Sequence, residues 1–458
     1  MAQTTFAIVD PATGRELRTV PGHTDAQVQE ILDRAGEAFA SWRRTGFQER
    51  AVILDKAADL LEQRKRRLAH TMAEEMGKPV AQGEAEAEKC AWVCRYYAQH
   101  AASQLASRAV DTGSDYAGVA YQPLGVVLAI MPWNYPLWQV FRFAAPALMA
   151  GNVGVLKHAS NVFDSAVLIE EILHDAGLPP ACFRSLLIAS DGVPAVLDHP
   201  AVRAATLTGS GAAGRAVAKA CGERLLPTVL ELGGSDAYVV LEDADVQHAA
   251  EQCVQSRLLN SGQSCIAAKR FVVVDAVYDA FVDAVVACMA SKVMGLPTDA
   301  DTDVGPQARI DLRDELHAQV ERAVEQGARL ALGGEVPDRA GAWYPPTVLV
   351  DVPQDSVAAT EELFGPVAAI LRATDEADAI RIANNSVFGL GAAVFTRDKE
   401  RGRRIAEDEL EAGCCFVNAY VKSDPRLPFG GIKESGYGRE LAEFGIRAFC
   451  NAKAVWVA

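Results

Sequence analysis

Gly125-Val-Val-Leu-Ala-Ile-Met-Pro-Trp-Asn-Tyr-Pro136 is the stretch on which the reading of this chain turns. Its apolar run is far too short for the roughly 20 residues of a membrane span, and Pro132, Asn134 and Pro136 break it. A short apolar run closed by proline reads as a buried strand running into a loop. Before it, residues 25–105 carry helical spacing, as in Ala51-Val-Ile-Leu-Asp-Lys-Ala-Ala-Asp-Leu-Leu-Glu62, and Gly77-Lys-Pro79 marks a stop. After it, β-branched runs at 154–157, 185–189, 204–208 and 228–230 follow the first strand at 125–130. Helical patterns lie between them at 164–176 and 212–221. Strands alternating with helices imply an α/β fold whose parallel sheet is covered on both faces.

The alternation restarts beyond Gly233-Gly234, with strands expected at 237–241, 271–274, 347–350, 368–371, 392–395 and 415–418 and a helix at 244–259. This predicts a second α/β domain. A chain of 458 residues also calls for more than one core. Residues 110–124 and the terminal Asn451-Ala-Lys-Ala-Val-Trp-Val-Ala458 fit neither sheet.

Half the residues are apolar and 23% are charged, the composition of a soluble globular protein. The formal net charge of −16 argues against nucleic acid or an anionic membrane as partner, and requires a local cation for any anionic substrate. The opening Met-Ala-Gln-Thr-Thr-Phe-Ala-Ile-Val-Asp10 lacks the pattern of a signal peptide, so a cytoplasmic location is expected. Ten scattered cysteines lack zinc spacing and read as reduced thiols, with no metal expected.

Three breaks after apolar runs carry reactive groups. Cys265 lies in Asn260-Ser-Gly-Gln-Ser-Cys-Ile-Ala-Ala-Lys-Arg270, a small-residue loop ahead of Phe271-Val-Val-Val274. Glu231 lies in Leu230-Glu-Leu-Gly-Gly234, and Asn134 in Met131-Pro-Trp-Asn-Tyr-Pro136. A thiol, an acid and an amide are the parts of a thioester mechanism: nucleophile, general base and oxyanion donor. The blander reading of Cys265 is a small core residue, which we take for the other nine. Glu231 has a rival role. Gly209-Ser-Gly-Ala-Ala-Gly214 matches G-x-G-x-x-G, and an acid about 20 residues on would bind a ribose in an ordinary dinucleotide fold. That reading leaves Cys265 and Asn134 unexplained.

These segments, with Lys157-His-Ala-Ser-Asn161 and Glu361-Glu-Leu-Phe-Gly-Pro366, resemble the aldehyde dehydrogenase superfamily. The resemblance runs from Val9-Asp-Pro-Ala-Thr-Gly14 to Pro428-Phe-Gly-Gly-Ile-Lys-Glu-Ser-Gly-Tyr-Gly-Arg-Glu440. Lys157–Asn161 and Gly262–Arg270 are most similar to the bacterial succinate-semialdehyde dehydrogenase branch. It implies a Rossmann-like cofactor domain (1–109 and 125–232), a catalytic domain (233–430) and an arm (110–124 and 431–458) that pairs subunits into a homodimer or homotetramer. It also implies oxidation of a small aldehyde to an acid by NAD or NADP. Cys265 would be the nucleophile, Glu231 the deacylation base and Asn134 the oxyanion donor.

Cofactor contacts are implied for Trp133, Lys157, Ser160, Gly209, Ser210 and Leu232, with Glu362 on the nicotinamide ribose and Phe364 near the ring. Many NAD-preferring relatives carry glutamate where this chain has Ser160. A hydroxyl beside a lysine removes the repulsion of a 2′-phosphate, so NADP is the expected cofactor. For the substrate, Arg142 could fork onto the distal carboxylate of a semialdehyde, with hydrogen bonds from Ser264 and Ser423. The alternative for Arg142 is a structural ion pair. A CoA-acylating relative would not need Glu231. A thiol hydrolase would need a base such as histidine, and none of the eight lies in a segment near Cys265. A silent binding protein would have no reason to keep thiol, acid and amide together.

Overall fold

The computed structural model describes residues 4–458, built around two mixed sheets. The first has six strands in the order Gly436–Tyr437, Thr228–Glu231, Val202–Thr208, Val126–Met131, Val153–His158 and Phe183–Ser185. All neighbours run parallel except Gly436–Tyr437, which pairs antiparallel with Thr228–Glu231. The second has seven strands in the order Arg329–Leu332, Thr347–Val350, Val367–Ala373, Ala268–Val274, Asp236–Val240, Gly391–Phe395 and Cys414–Val417. Only its edge strand Arg329–Leu332 is antiparallel.

Alternation along the second sheet divides its side chains between two cores. Ala237, Val239, Val272 and Val274 enter one, while Tyr238, Val240, Phe271 and Val273 enter the other. This is the period-two pattern of strands covered on both faces. The first sheet shares a single larger core with the long helices Asp25–Trp42, Phe47–Met76 and Val80–Gln104. The stop at Gly77 is a left-handed C-cap, φ 76°.

Two expectations need correction. The strand anticipated at 185–189 ends at Ser185, because the next backbone groups turn elsewhere. Leu186 N–H still donates to Leu156 O, but Leu187 O accepts from His23 N–H at 2.9 Å. The stretch 431–458, anticipated as one arm, divides between three sheets. Cys450–Val457 pairs with Tyr116–Pro123, Gly436–Tyr437 closes the edge of the first sheet, and Ile432–Lys433 pairs with Phe388–Gly389.

The break after Val126–Met131 is anchored from the helix Val80–Gln104. Glu86 Oε1 accepts the N–H groups of Leu137 and Trp138, each at 2.9 Å, where the helix Trp138–Ala150 begins. Its other oxygen pairs with the fully buried Lys78, whose ammonium stands 3.9 Å from the Tyr135 ring centroid. A carboxylate on first-turn amides satisfies donors that a helix leaves open. Removing one member of a buried pair strands the other charge. Glu86→Ala is therefore expected to cost about 3–5 kcal/mol in urea unfolding, and adding Lys78→Met to recover part of that loss.

Candidate active site

Between the helix Val246–Leu258 and the strand Ala268–Val274 the chain passes through three consecutive left-handed residues, Asn260 (φ 56°), Ser261 (φ 55°) and Gly262 (φ 78°). Non-glycine residues there store roughly 1–3 kcal/mol each, so the surroundings must hold them. Gln82 Oε1 accepts from Asn260 N–H at 2.6 Å, and Ser261 Oγ accepts from Gly305 N–H at 2.9 Å. A Cβ on Gly262 would overlap the backbone of Gly365, so only glycine fits. The loop then presents Cys265, partly exposed, and ends at Lys269. Lys269 is fully buried. Its ammonium donates to the carbonyls of Ser264 (2.8 Å) and Cys265 (2.6 Å) and pairs with Glu362 at 3.1 Å.

Asn134 joins this loop from the other sheet. Its Nδ2 donates to Gln263 O at 3.0 Å, and Asn260 Nδ2 donates back to Asn134 O at 2.7 Å. One amide N–H is thus engaged, and a primary amide carries two. Cys265 lies on the wall of two cavities. One, of about 380 Å³, is also lined by Trp133, Asn134, Gly209, Ser210, Leu232, Glu362 and Phe364. The other, of about 600 Å³, is lined by Arg142, Ser264 and Ser423 among others. Amide and thiol therefore share the first cavity, and all three residues expected to touch substrate share the second.

The first cavity has the chemistry to hold a dinucleotide. Gly209 and Ser210 lie where the strand Val202–Thr208 meets the N-terminus of the helix Gly211–Glu223, a place suited to phosphate. Glu362 Oε1 is fixed by Lys269 and by Gly234 N–H at 3.1 Å, which holds the carboxylate on the wall as an acceptor for hydroxyls. Trp133 and Phe364 meet edge to face at 5.7 Å and give this wall an apolar corner. Lys157 and Ser160 are not on this wall. Lys157 is buried at the end of the strand Val153–His158, donating to Ser190 Oγ at 3.3 Å, with burial lowering its pKa. Ser160 lines a separate cleft with Glu75 and Arg309.

Two further placements depart from expectation. Glu231 lines neither cavity. The residue is 2% exposed, with no hydrogen-bond partner for either carboxyl oxygen among the described residues, and a Cβ on Gly430 (φ 150°) would press on Oε1. Burial, then the charge of Glu440, pushes its pKa well up against the pull of Arg142 and Arg439. Its absence from the Gly209–Ser210 wall leaves the ribose-ligand role without support. Arg142, though on the second cavity's wall, is 1% exposed. It ion-pairs with Glu440, donates to Thr208 Oγ1 at 3.2 Å and stacks on Phe429 at 4.6 Å. The structural ion pair is what the guanidinium makes, because Glu440 reaches it from the 428–440 segment. Burial raises the Cys265 thiol to about 11, opposed by Lys269 and Arg142.

Sequence reading missed Lys269, Gln263 and Lys89. Lys269 left a signal, since two cations open an apolar strand at Lys269-Arg270. Lys89 left none, because a lysine on an amphipathic helix reads as surface. Among the described residues no histidine, cysteine and carboxylate cluster could hold a metal, and no helix is long and apolar enough to cross a membrane.

Comparison with known proteins agrees with this geometry. The chain is 50% identical over 456 residues to succinate-semialdehyde dehydrogenase [NADP(+)] 1 of Mycobacterium tuberculosis, covering 99% of this chain and 100% of that one. It is 48% identical, with the same coverage, to the succinate-semialdehyde dehydrogenase [NADP(+)] of Mycobacterium leprae. A solved structure of succinic semialdehyde dehydrogenase from Streptococcus pyogenes with NADP+ superposes with a TM-score of 0.96 at 36% identity, covering 99% of each chain. The model of the aldehyde dehydrogenase family matches residues 1–455, and the chain belongs to that family.

Proposed function

We propose that the protein oxidises succinate semialdehyde to succinate with NADP+ through a thioester on Cys265. The observation that carries this is the shared wall: one thiol faces both a cavity suited to a dinucleotide and a second cavity suited to a small substrate. The mycobacterial relatives named for this activity at about half identity support the choice of aldehyde and cofactor.

Cys265 Sγ, once deprotonated, attacks the aldehyde carbon, and the carbonyl electrons move onto oxygen. The free N–H of Asn134 and the backbone N–H of Cys265 receive that oxyanion. Bound, the oxidised nicotinamide supplies the acceptor for the hydride that leaves this carbon, and a positive charge that favours thiolate. The product at Cys265 is a thioester. Glu231 then takes a proton from water, whose oxygen attacks the acyl carbon, and the C–S bond breaks to release the acid and the thiolate. To do so its carboxyl must rotate out from beneath Gly430 and ionise.

Trp133, Gly209, Ser210, Leu232, Glu362 and Phe364 hold the nicotinamide half and the phosphates, with Lys157 and Ser160 toward the adenosine. The edge strand Cys450–Val457, with Trp456 61% exposed, is the surface on which subunits assemble into a homodimer or homotetramer. Ten free cysteines suit a reducing compartment such as the cytoplasm.

With its thiol near 11, Cys265 in the enzyme alone is expected to react slowly with iodoacetamide at neutral pH. Its rate should climb about tenfold per pH unit until other groups intervene, read by peptide mass spectrometry. A pH-independent rate would refute the raised thiol pKa. Glu231→Gln should keep a burst of reduced cofactor while steady turnover falls by about 10²–10⁴-fold. Because its pKa is raised, the base form of Glu231 grows as pH rises, so wild-type turnover should increase with pH wherever deacylation limits. Loss of the burst with weakened cofactor binding would point back to a ribose role. Finally, kcat/KM should favour NADP over NAD by about tenfold or more, the worth of one charge-assisted phosphate contact, and Ser160→Glu should reverse that preference.

A further inference from the structure

Six charged side chains line the second cavity, and the compensation of each can be followed. Arg142 is paired with Glu440, Glu86 with Lys78, and Arg426 with Asp424 at 2.6 Å. Lys89 has no carboxylate partner among the described residues. It lies on the helix Val80–Gln104, partly exposed on the cavity wall, with its ammonium 4.3 Å from the Trp138 ring centroid. Its Nζ donates to Ser423 Oγ at 2.7 Å. Lys422, also on the cavity's rim, is exposed to solvent and rests on Tyr420.

We propose that Lys89, together with Ser423, is the carboxylate-binding end of this cavity and sets the preference for an anionic over a neutral aldehyde. This rests on succinate semialdehyde as the substrate. An ammonium has three N–H donors, and one is used on Ser423. Since Ser423 Oγ accepts from Lys89, its own O–H is free to donate to the same carboxylate. Trp138 beneath the ammonium excludes water from one side and stabilises the cation without neutralising it. Arg142, the cation expected for this task, already carries its counter-charge. In a chain of net charge −16, an uncompensated cation on the wall shared with Cys265 gives an anionic substrate a local attraction that the molecule as a whole denies it.

Burial, and after it the charge of Arg142 on the neighbouring helix, lowers the Lys89 pKa to about 8. Cys90 and Glu86 on its own helix and Asp424 on the facing loop act in the opposite sense. The cation is present below about pH 8 and is lost above it, so recognition of a carboxylate should weaken as pH rises through that value.

The test is the ratio of kcat/KM for succinate semialdehyde to that for butanal, an uncharged aldehyde of equal carbon number. It is measured from about pH 6.5 to about pH 9.5 so as to span the titration. Taking the ratio cancels titrations common to both substrates. The wild-type ratio should be high and fall above about pH 8. In Lys89→Met it should be lower by about tenfold or more and lose that pH dependence, while Lys89→Arg retains most of it. Calorimetric binding of succinate to the same variants gives a readout that needs no turnover, and it should weaken by a similar factor in Lys89→Met. A high wild-type ratio that survives unchanged in Lys89→Met, with succinate binding intact, overturns the role of Lys89 alone. A wild-type enzyme that does not prefer succinate semialdehyde to butanal overturns the substrate reading together with it.

Discussion

The ammonium of Lys269 ties together the parts of the molecule that meet around the thiol. It holds the carbonyls of Ser264 and Cys265 on one side and Glu362 on the other. Lysine is seldom fully buried, and here each interaction replaces water that burial has removed. The result is that the loop carrying the thiol, the wall of the first cavity and the strand Ala268–Val274 are joined through one side chain. Without that ammonium the Cys265 carbonyl would lose its donor, and Glu362 would keep only the N–H of Gly234. The same positive charge opposes the rise that burial imposes on the Cys265 thiol. Positioning and electrostatics thus come from a single side chain.

A second constraint is the left-handed run Asn260–Gly262. Such a run cannot persist on local preference, since each non-glycine residue in it is disfavoured. It is held by groups from distant segments: Gln82 from a helix, Gly305 from a loop, Asn134 through Gln263. Those partners also bring the two sheets together, because Asn134 follows a strand of one and Cys265 precedes a strand of the other. Backbone strain at the thiol loop is therefore coupled to the contact between sheets, and loosening either would misplace the thiol relative to the amide.

Much of this architecture could be read from sequence, and the physical basis differs by region. The strand at 125–130 was legible because both of its faces are buried, giving an unbroken apolar run, and because proline ended it. The helices at 25–105 were legible from spacing alone. The strand anticipated at 185–189 was misjudged because its apolar residues do reach a core, while the backbone leaves the sheet for His23, a pairing no local pattern reveals. At the site, Cys265 and Asn134 stood out as reactive groups on broken loops. Arg142 was misjudged for a similar reason: its counter-charge, Glu440, lies almost three hundred residues away along the chain. Pairing across that separation is a property of the fold.

The cluster formed by Glu231, Glu440, Arg142 and Arg439 holds a buried acid without a counter-charge of its own. Two buried carboxylates face the single buried guanidinium of Arg142, while Arg439 spends its Nη1 on the carbonyls of Gly431 and Gly438. Like charges in a low-dielectric site do not both ionise at neutral pH, so the cluster retains a proton. Glu440 has the direct ion pair and Glu231 has no partner for either oxygen, which places the proton on Glu231. Burying a neutral acid beneath Gly430 costs less than burying an unpaired carboxylate there. In the mechanism proposed above, ionisation of Glu231 is therefore coupled to its movement, since its present surroundings favour the protonated form.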